Sequence, residues 1–298
     1  MTLTKENAII GFVGTGVMGK SMVGHLLKAG YHVLVFNRTK AKAEELIQMG
    51  AVWQSSVADL AARSKVIVTM VGYPKDVEEV YLGNGGIISH AKNGSYLVDM
   101  TTSAPNLAIK IYNEALIKGM YALDAPVSGG DVGAKEARLA IMVGGDQAVF
   151  EALVPIFNLL GKNVLLQGKA GAGQHTKMCN QIAIASTMIG VCEAIAYAKI
   201  AGLNPETVLK SIESGAAGSF SLTNLAPRML VNNFAPGFYV KHFIKDMTIA
   251  LSTAQAMGLL TPGLELAKSL YDTLAEQGDE SSGTQALIKL YLPENQRI

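Results

Sequence analysis

"AIIGFVGTGVMGKSM", residues 8–22, is the stretch whose reading decides the fold. Ile9, Ile10, Phe12 and Val13 make a short continuous apolar run, the pattern of a strand covered on both faces of a parallel sheet. The run passes directly into Gly14, Gly16 and Gly19, spaced as GxGxxG, and then into a helical stretch. Between a strand and a helix, such glycines let the backbone approach a pyrophosphate at the helix N-terminus. Gly14, Thr15, Gly16, Val17, Met18 and Gly19 are therefore candidate cofactor-binding residues, the alternative being a glycine-rich turn without a ligand.

Further strand candidates follow at 32–37, 65–70, 95–100, 121–127, 139–145 and 163–168, most of them continuous rather than alternating. Helix-length segments separate most of them, such as "KAKAEELIQMG" closed by Gly50. That order predicts βαβ units in a doubly wound sheet. After Gly168 helix punctuation takes over: Asn204 and Pro205 open a helix that stops at Gly215, and Thr261, Pro262 and Gly278 repeat the arrangement. The expected fold is an α/β N-terminal Rossmann domain with a mostly parallel sheet, residues 1–168, followed by an all-α C-terminal domain, residues 169–298. The junction falls in "GKAGAG", 168–173, which places "GAGQHTKMCNQ", 171–181, at the mouth of an expected interdomain cleft.

Composition narrows the partners. Twenty-five Lys and Arg against 24 Asp and Glu give a net charge of +1 with no basic block, so no nucleic-acid or anionic-membrane surface is expected. A small molecule is the expected partner. Cys179 and Cys192 lack CxxC spacing and read as reduced core thiols of a cytoplasmic protein, and the N-terminus lacks a signal-peptide layout. Residues 182–201 are strongly apolar but contain Ser186, Thr187, Glu193 and Lys199, which suits a buried core helix better than a membrane span. The same helix predicts a homodimer or homotetramer. The histidines, at 25, 32, 90, 175 and 242, have no metal-ligand spacing, so no metal site is expected.

Two polar positions carry chemistry. At the end of the second strand candidate, where an acidic residue would bind the ribose 2′-hydroxyl of NAD, the chain has Asn37, Arg38 and Thr39. A cation there favours NADP, with NAD as the alternative cofactor and a solvated turn as the alternative role for Arg38. Lys177 is the only formal charge between Gly171 and Cys192, counting His as neutral. In a helix starting near Gln174 it lies in the first turn, where the macrodipole favours the neutral amine, and Asn180 and Gln181 share its face. Local sequence leaves two readings open: a titratable general acid and base, or a lysine snorkelling to solvent.

Four separated segments resemble the β-hydroxyacid dehydrogenase family, which includes 3-hydroxyisobutyrate dehydrogenase and tartronate semialdehyde reductase. They are the GxGxMG loop at 14–19, "DMTTSAP" at 99–105, "DAPVSGG" at 124–130 and "GAGQHTKMCNQ". A shorter fifth, "HFIKDM", matches a Lys-Asp pair at Lys245 and Asp246. The resemblance spans nearly the whole chain. It implies Lys177 as catalytic residue with Asn180 and Gln181 beside it, and Met70, Val71, Thr102 and Lys245 as further cofactor contacts. Ser128, Gly129, Gly130, Phe238 and Asp246 are implied at the substrate, and Ser219 and Phe220 are placed near it by family position. Adjacent residues on a helix point apart, so Lys245 and Asp246 are not expected to pair with each other.

The chain departs from the family at Gln181, where many relatives have a second asparagine, and at Glu136 and Ala137, where relatives often have a small residue and glycine. The implied activity is NAD(P)-dependent interconversion of a small β-hydroxyacid and its semialdehyde, with Lys177 moving the proton. Candidate substrates are 3-hydroxyisobutyrate, tartronate semialdehyde, succinic semialdehyde and glyoxylate. The rivals are an imine reductase of the same architecture, which generally lacks this lysine, and a non-catalytic cofactor-binding protein.

Overall fold

Every residue of Ile10–Val13 and of Val66–Thr69 is buried, as continuous apolar runs require when both faces of a sheet are covered. The structure is a computed structural model that describes residues 3–5 and 7–292. The chain packs as two compact units, Met1–Lys177 and Met178–Ile298.

The first unit contains β1 (Ile10–Val13), α1 (Val17–Lys28), β2 (Val33–Phe36), α2 (Glu44–Gln48), β3 (Val52–Trp53), α3 (Val57–Arg63), β4 (Val66–Thr69), α4 (Pro74–Leu82) and α5 (Ile87–His90). It continues with β5 (Tyr96–Asp99), α6 (Pro105–Ile117), β6 (Tyr121–Asp124), β7 (Val127–Ser128), α7 (Gly130–Lys135), β8 (Leu139–Gly144), α8 (Gln147–Phe157) and β9 (Gly161–Gly168). The sheet order is β3-β2-β1-β4-β5-β6-β8-β7, with β9 paired to β8. Neighbours from β3 to β6 are parallel, while β8 runs antiparallel to β6 and β7. This is a doubly wound sheet whose order reverses between β1 and β4, so ligands are expected beyond the carboxyl ends of those strands.

Successive strand residues feed opposite layers. Ile10, Phe12, Val33, Val35, Val66 and Val68 join one apolar cluster, and Val13, Leu34, Ile67 and Leu97 join the other. Three local expectations change. The two-residue β3 is a strand that no apolar run announces. The run 121–127 divides into β6 and β7 around Pro126, which has no N–H to give to a ladder. "KAKAEELIQ" forms a 3₁₀ turn, Lys40–Ala43, before α2.

α9 (Ala172–Ile200) carries the chain from the first unit into the second. The second unit also contains α10 (Pro205–Ile212), α11 (Ala226–Leu230), α12 (Val240–Ala256) and α13 (Pro262–Leu274). α9 is long and apolar enough to cross a membrane by length and composition, yet half of its most apolar window is buried. Met188, Cys192 and Ile195 from α9 pack in one core with Phe243, Met247 and Tyr271. Cys192 is a core thiol, its pKa pushed up by burial, but Cys179 is exposed and corrects the expectation for it. α9 is apolar on most of its circumference, so its sequence does not reveal which face is outward. Asn204 caps α10 by accepting from Thr207 N–H at 2.9 Å, whereas the Thr261 side chain makes no such bond at α13.

Candidate functional site

The carboxyl ends of β1, β2, β4 and β5 lead into most of the residues singled out for the cofactor. Gly14 adopts φ 99°, and a Cβ there would run into Met70 O, so the turn after β1 lies against the end of β4. A Cβ on Gly19 would strike Gly14 O, which brings α1 close onto the turn. Gly16 differs: a Cβ there meets nothing within 4 Å. α1 also begins without a side-chain cap and without an acidic residue in its first turn. Thr15 is 2% exposed, and its hydroxyl oxygen has no hydrogen-bond partner among the described residues. Open space, uncapped helix N–H groups and an orphan hydroxyl fit a dinucleotide pyrophosphate.

After β2, Asn37 Oδ1 accepts from Thr15 N–H at 3.2 Å, and Asn37 Nδ2 donates to Thr39 O at 3.0 Å. Asn37 therefore ties the end of β2 to the turn after β1. Arg38 projects outward with its side chain 83% exposed, 3.2 Å from Asp76 Oδ1. Asp76 is committed elsewhere too, accepting from Tyr73 N–H at 3.0 Å at the start of α4. The sequence reading missed this carboxylate opposite Arg38.

Thr102 follows β5 in a loop tied down on both sides. Asp99 Oδ1 accepts from Thr69 Oγ1 at 2.8 Å and from Thr101 N–H at 3.1 Å, and Thr101 Oγ1 accepts from Val71 N–H at 3.0 Å. Asp99 is buried, and burial raises its pKa to about 6. Gln174, fully buried in the first turn of α9, closes the other side. Its Oε1 accepts from Ser103 N–H at 2.9 Å and its Nε2 donates to Thr101 O at 2.7 Å.

Asp124, at the end of β6, anchors the same turn. Its Oδ1 accepts from Gly171 N–H at 2.7 Å and its Oδ2 from Gln174 N–H at 2.8 Å, while burial raises its pKa. From Asp124 the chain runs on to Ser128, half-buried at the end of β7, and to Gly129 and Gly130 with φ 131° and 62°. α9 starts at Ala172, earlier than expected, so Lys177 sits in its second turn. The macrodipole acts mainly within the first turn and is correspondingly weaker there. Lys177 is 6% exposed, so it does not reach out into bulk water as a snorkelling lysine would.

The remaining candidates lie in the second unit, and four of them, Asn180, Gln181, Lys245 and Asp246, form one polar chain. Asn180 Nδ2 donates to Gln181 Oε1 at 2.7 Å, and Gln181 Nε2 donates to Asp246 Oδ2 at 2.6 Å. Lys245 Nζ lies 3.0 Å from Asp246 Oδ1. This corrects the expectation that these neighbours do not pair: the lysine arm is long enough to fold back over α12. Both ends of the Gln181 amide are thus in use inside the unit. Ser219 Oγ accepts from Leu222 N–H at 3.1 Å, Phe220 is exposed, and Phe238 packs on Phe243 with ring centroids 5.6 Å apart. No group of three His, Cys, Asp or Glu that could hold a metal ion occurs among the described residues.

Residues 9–168 match the family model described as the NAD binding domain of 6-phosphogluconate dehydrogenase. Residues 171–291 match the one described as NAD-binding of NADP-dependent 3-hydroxyisobutyrate dehydrogenase. The chain belongs to the β-hydroxyacid dehydrogenase family. Within that family it is 65% identical over 283 residues to an uncharacterized oxidoreductase, YkwC, of Bacillus subtilis, covering 95% of this chain and 98% of that one. It is 37% identical over 290 residues to 2-hydroxy-3-oxopropionate reductase of Escherichia coli, covering 97% and 99%. Among solved structures it is similar to a 3-hydroxyisobutyrate dehydrogenase of Mycobacterium tuberculosis with L-serine, at TM-score 0.88 and 28% identity, covering 95% and 98%. As a β-hydroxyacid dehydrogenase it is an NAD(P)-dependent oxidoreductase.

The side chains of Thr69, Asp99, Thr101, Asp124 and Gln174 in the first-unit network were not singled out from sequence. Asp99 and Asp124 each end a continuous apolar strand run, "YLVD" and "YALD". A carboxylate at such a point is the signal that was there to be read, since a charge so placed needs partners.

Proposed function

We propose that the chain interconverts a small β-hydroxyacid and its semialdehyde, with NADP(H) preferred and Lys177 as general acid and base. The observation that carries this reading is a buried lysine on a helix whose first turn is bonded to the Thr101–Ser103 loop. Bound nicotinamide supplies or accepts the hydride. In reduction Lys177 Nζ gives its proton to the developing alkoxide oxygen, and in oxidation it takes the proton back from the hydroxyl. Ser128 and the backbone N–H groups of Gly129 and Gly130 are assigned to the substrate carboxylate, which orients the reacting carbon. With its amide committed to Asn180 and Asp246, Gln181 supports Asp246, which leaves Asn180 as the amide assigned to the substrate. The NADP preference rests on Arg38. Its exposed pair with Asp76 contributes no more than about 1 kcal/mol, so a 2′-phosphate can displace it.

Turnover of wild type, Lys177→Ala and Arg38→Ala on small semialdehydes and cyclic imines, with NADPH and NADH, tests the reading. The expected result is semialdehyde reduction that needs Lys177, no imine reduction, and a higher kcat/KM with NADPH that Arg38→Ala abolishes. Undiminished turnover in Lys177→Ala sinks the mechanism, and equal use of NADH sinks the role of Arg38. We also propose a homodimer or homotetramer, supported by Tyr197 and Ile200 of α9, each 73% exposed, and a cytoplasmic location. A monomer in light scattering at micromolar concentration would contradict the assembly.

A further inference from the structure

Lys177 and Thr102 lie on different parts of the first unit, one on a helix and one on a loop after β5. General acid catalysis requires the donor to be held within hydrogen-bond reach of its target. Gln174, on the same helix as Lys177, bonds the loop directly. It precedes Lys177 by three positions, so the two share a face of α9. Its carbonyl takes the N–H of Ser103 and its amide donates to the carbonyl of Thr101, so it holds the residues on both sides of Thr102. With these partners the amide has a single satisfactory orientation, because reversing it would set donor against donor and acceptor against acceptor.

The helix end of this link is itself fixed. Asp124 accepts from the backbone N–H groups of Gly171 and Gln174, and its sequence continues into the Ser128–Gly130 loop. The loop end is held by Asp99 through Thr101 N–H and by Val71 N–H through Thr101 Oγ1. Neither end can shift without breaking buried hydrogen bonds.

We infer that Gln174 is a positioning residue for the reaction: through paired bonds to Thr101 and Ser103 it fixes where Lys177 stands relative to Thr102. It touches the loop backbone and acts on the reaction through Lys177. The inference rests on the reading of Lys177 as the proton donor.

Gln174→Met, which keeps the volume and loses both bonds, and Gln174→Glu, which keeps an acceptor for Ser103 N–H but not the donor to Thr101, test it. NADPH fluorescence titration gives the number of binding sites and their Kd, and kcat is taken per binding site. For Gln174→Met the expected fall in kcat is about 100-fold, the order produced by a misplacement of about 1 Å, with Kd within about twofold of wild type. The deuterium isotope effect with labelled NADPH should rise as hydride transfer becomes limiting. Gln174→Glu should fall between the two. A merely structural role would reduce the number of binding sites and leave kcat per site and the isotope effect unchanged, and that result in either variant overturns the inference. Lys177→Ala in the same assay separates the two claims. Full activity there defeats the proposed function, whereas loss there with full activity per site in Gln174→Met or Gln174→Glu defeats the positioning role alone.

Discussion

Two glycine-bearing segments each start a helix in the first unit, and they use glycine for different ends. In the 14–19 segment the middle glycine faces open space, and the N-terminus of α1 lacks a side-chain cap. At 171–173 the space is filled. A Cβ on Gly171 would meet Ile109 Cγ1 at 3.0 Å, and a Cβ on Gly173 would run into Met142 O and lie 2.7 Å from Asp124 O. The N-terminus of α9 is then satisfied from within by the Asp124 carboxylate. On the proposed function, the first segment keeps helix N–H groups available for a ligand's phosphate, and the second uses them to place a lysine. A glycine-rich pattern by itself does not distinguish the two uses; the open space at Gly16 with an uncapped helix start, against the Asp124 carboxylate at the start of α9, does.

Substitutions that add a single Cβ break or sharpen this contrast. The largest effect is expected from Gly173→Ala, because the methyl group meets backbone rather than a flexible side chain end. Overpacking against backbone costs about 1–3 kcal/mol or more, and loosening the Asp124 bonds adds to it. Thermal unfolding should show a Tm lowered by several degrees, and an unchanged Tm would contradict the close packing.

Asp99→Asn comes next. Burial lifts the folded pKa of Asp99 from the ordinary carboxylate value of about 4 to about 6, so the native state binds more protons than the unfolded chain between those values. Its contribution to stability is fully present below about pH 4 and is lost as pH rises through about 6, a change on the order of 2–3 kcal/mol. Asparagine keeps an acceptor for Thr69 and Thr101 and does not titrate. Asp99→Asn should therefore gain on wild type in urea unfolding as pH rises from 4 to 7 and hold a constant difference above that. A difference independent of pH would show that Asp99 titrates normally.

Gly16→Ala should have the smallest effect on stability and a clear one on binding. Its Cβ meets no protein atom, so Tm should stay within about a degree, while NADPH affinity falls about tenfold as the methyl group enters the space the phosphates need. Unchanged affinity would break the contrast between the two segments.

Strand runs buried on both faces made most of the sheet legible, since continuous Val, Ile and Leu segments have few other uses. β3 was not legible because two residues make no run. The true start of α9 was hidden for a different reason. Gly171, Ala172 and Gly173 read as a linker, and what makes Ala172 helical is capping by a carboxylate 47 residues before Gly171 in sequence. The candidate residues themselves could be named from local motifs and from the family resemblance, but the groups that hold them could not. Gln174, Asp99 and Asp124 become visible only when β5, β6 and α9 stand side by side. Gln181 shows the same limit, because its spacing from Lys177 suggested the lysine as partner while its amide is bonded to Asp246.

The central claim is that a buried lysine moves the proton in hydride transfer. Single-turnover reduction by NADPH-loaded Lys177→Met protein of the small semialdehyde that wild type turns over fastest, followed by NADPH absorbance, tests it most directly. The account predicts a rate constant lower by about 10²–10⁴ with NADPH affinity unchanged. A single-turnover rate equal to that of wild type would contradict it.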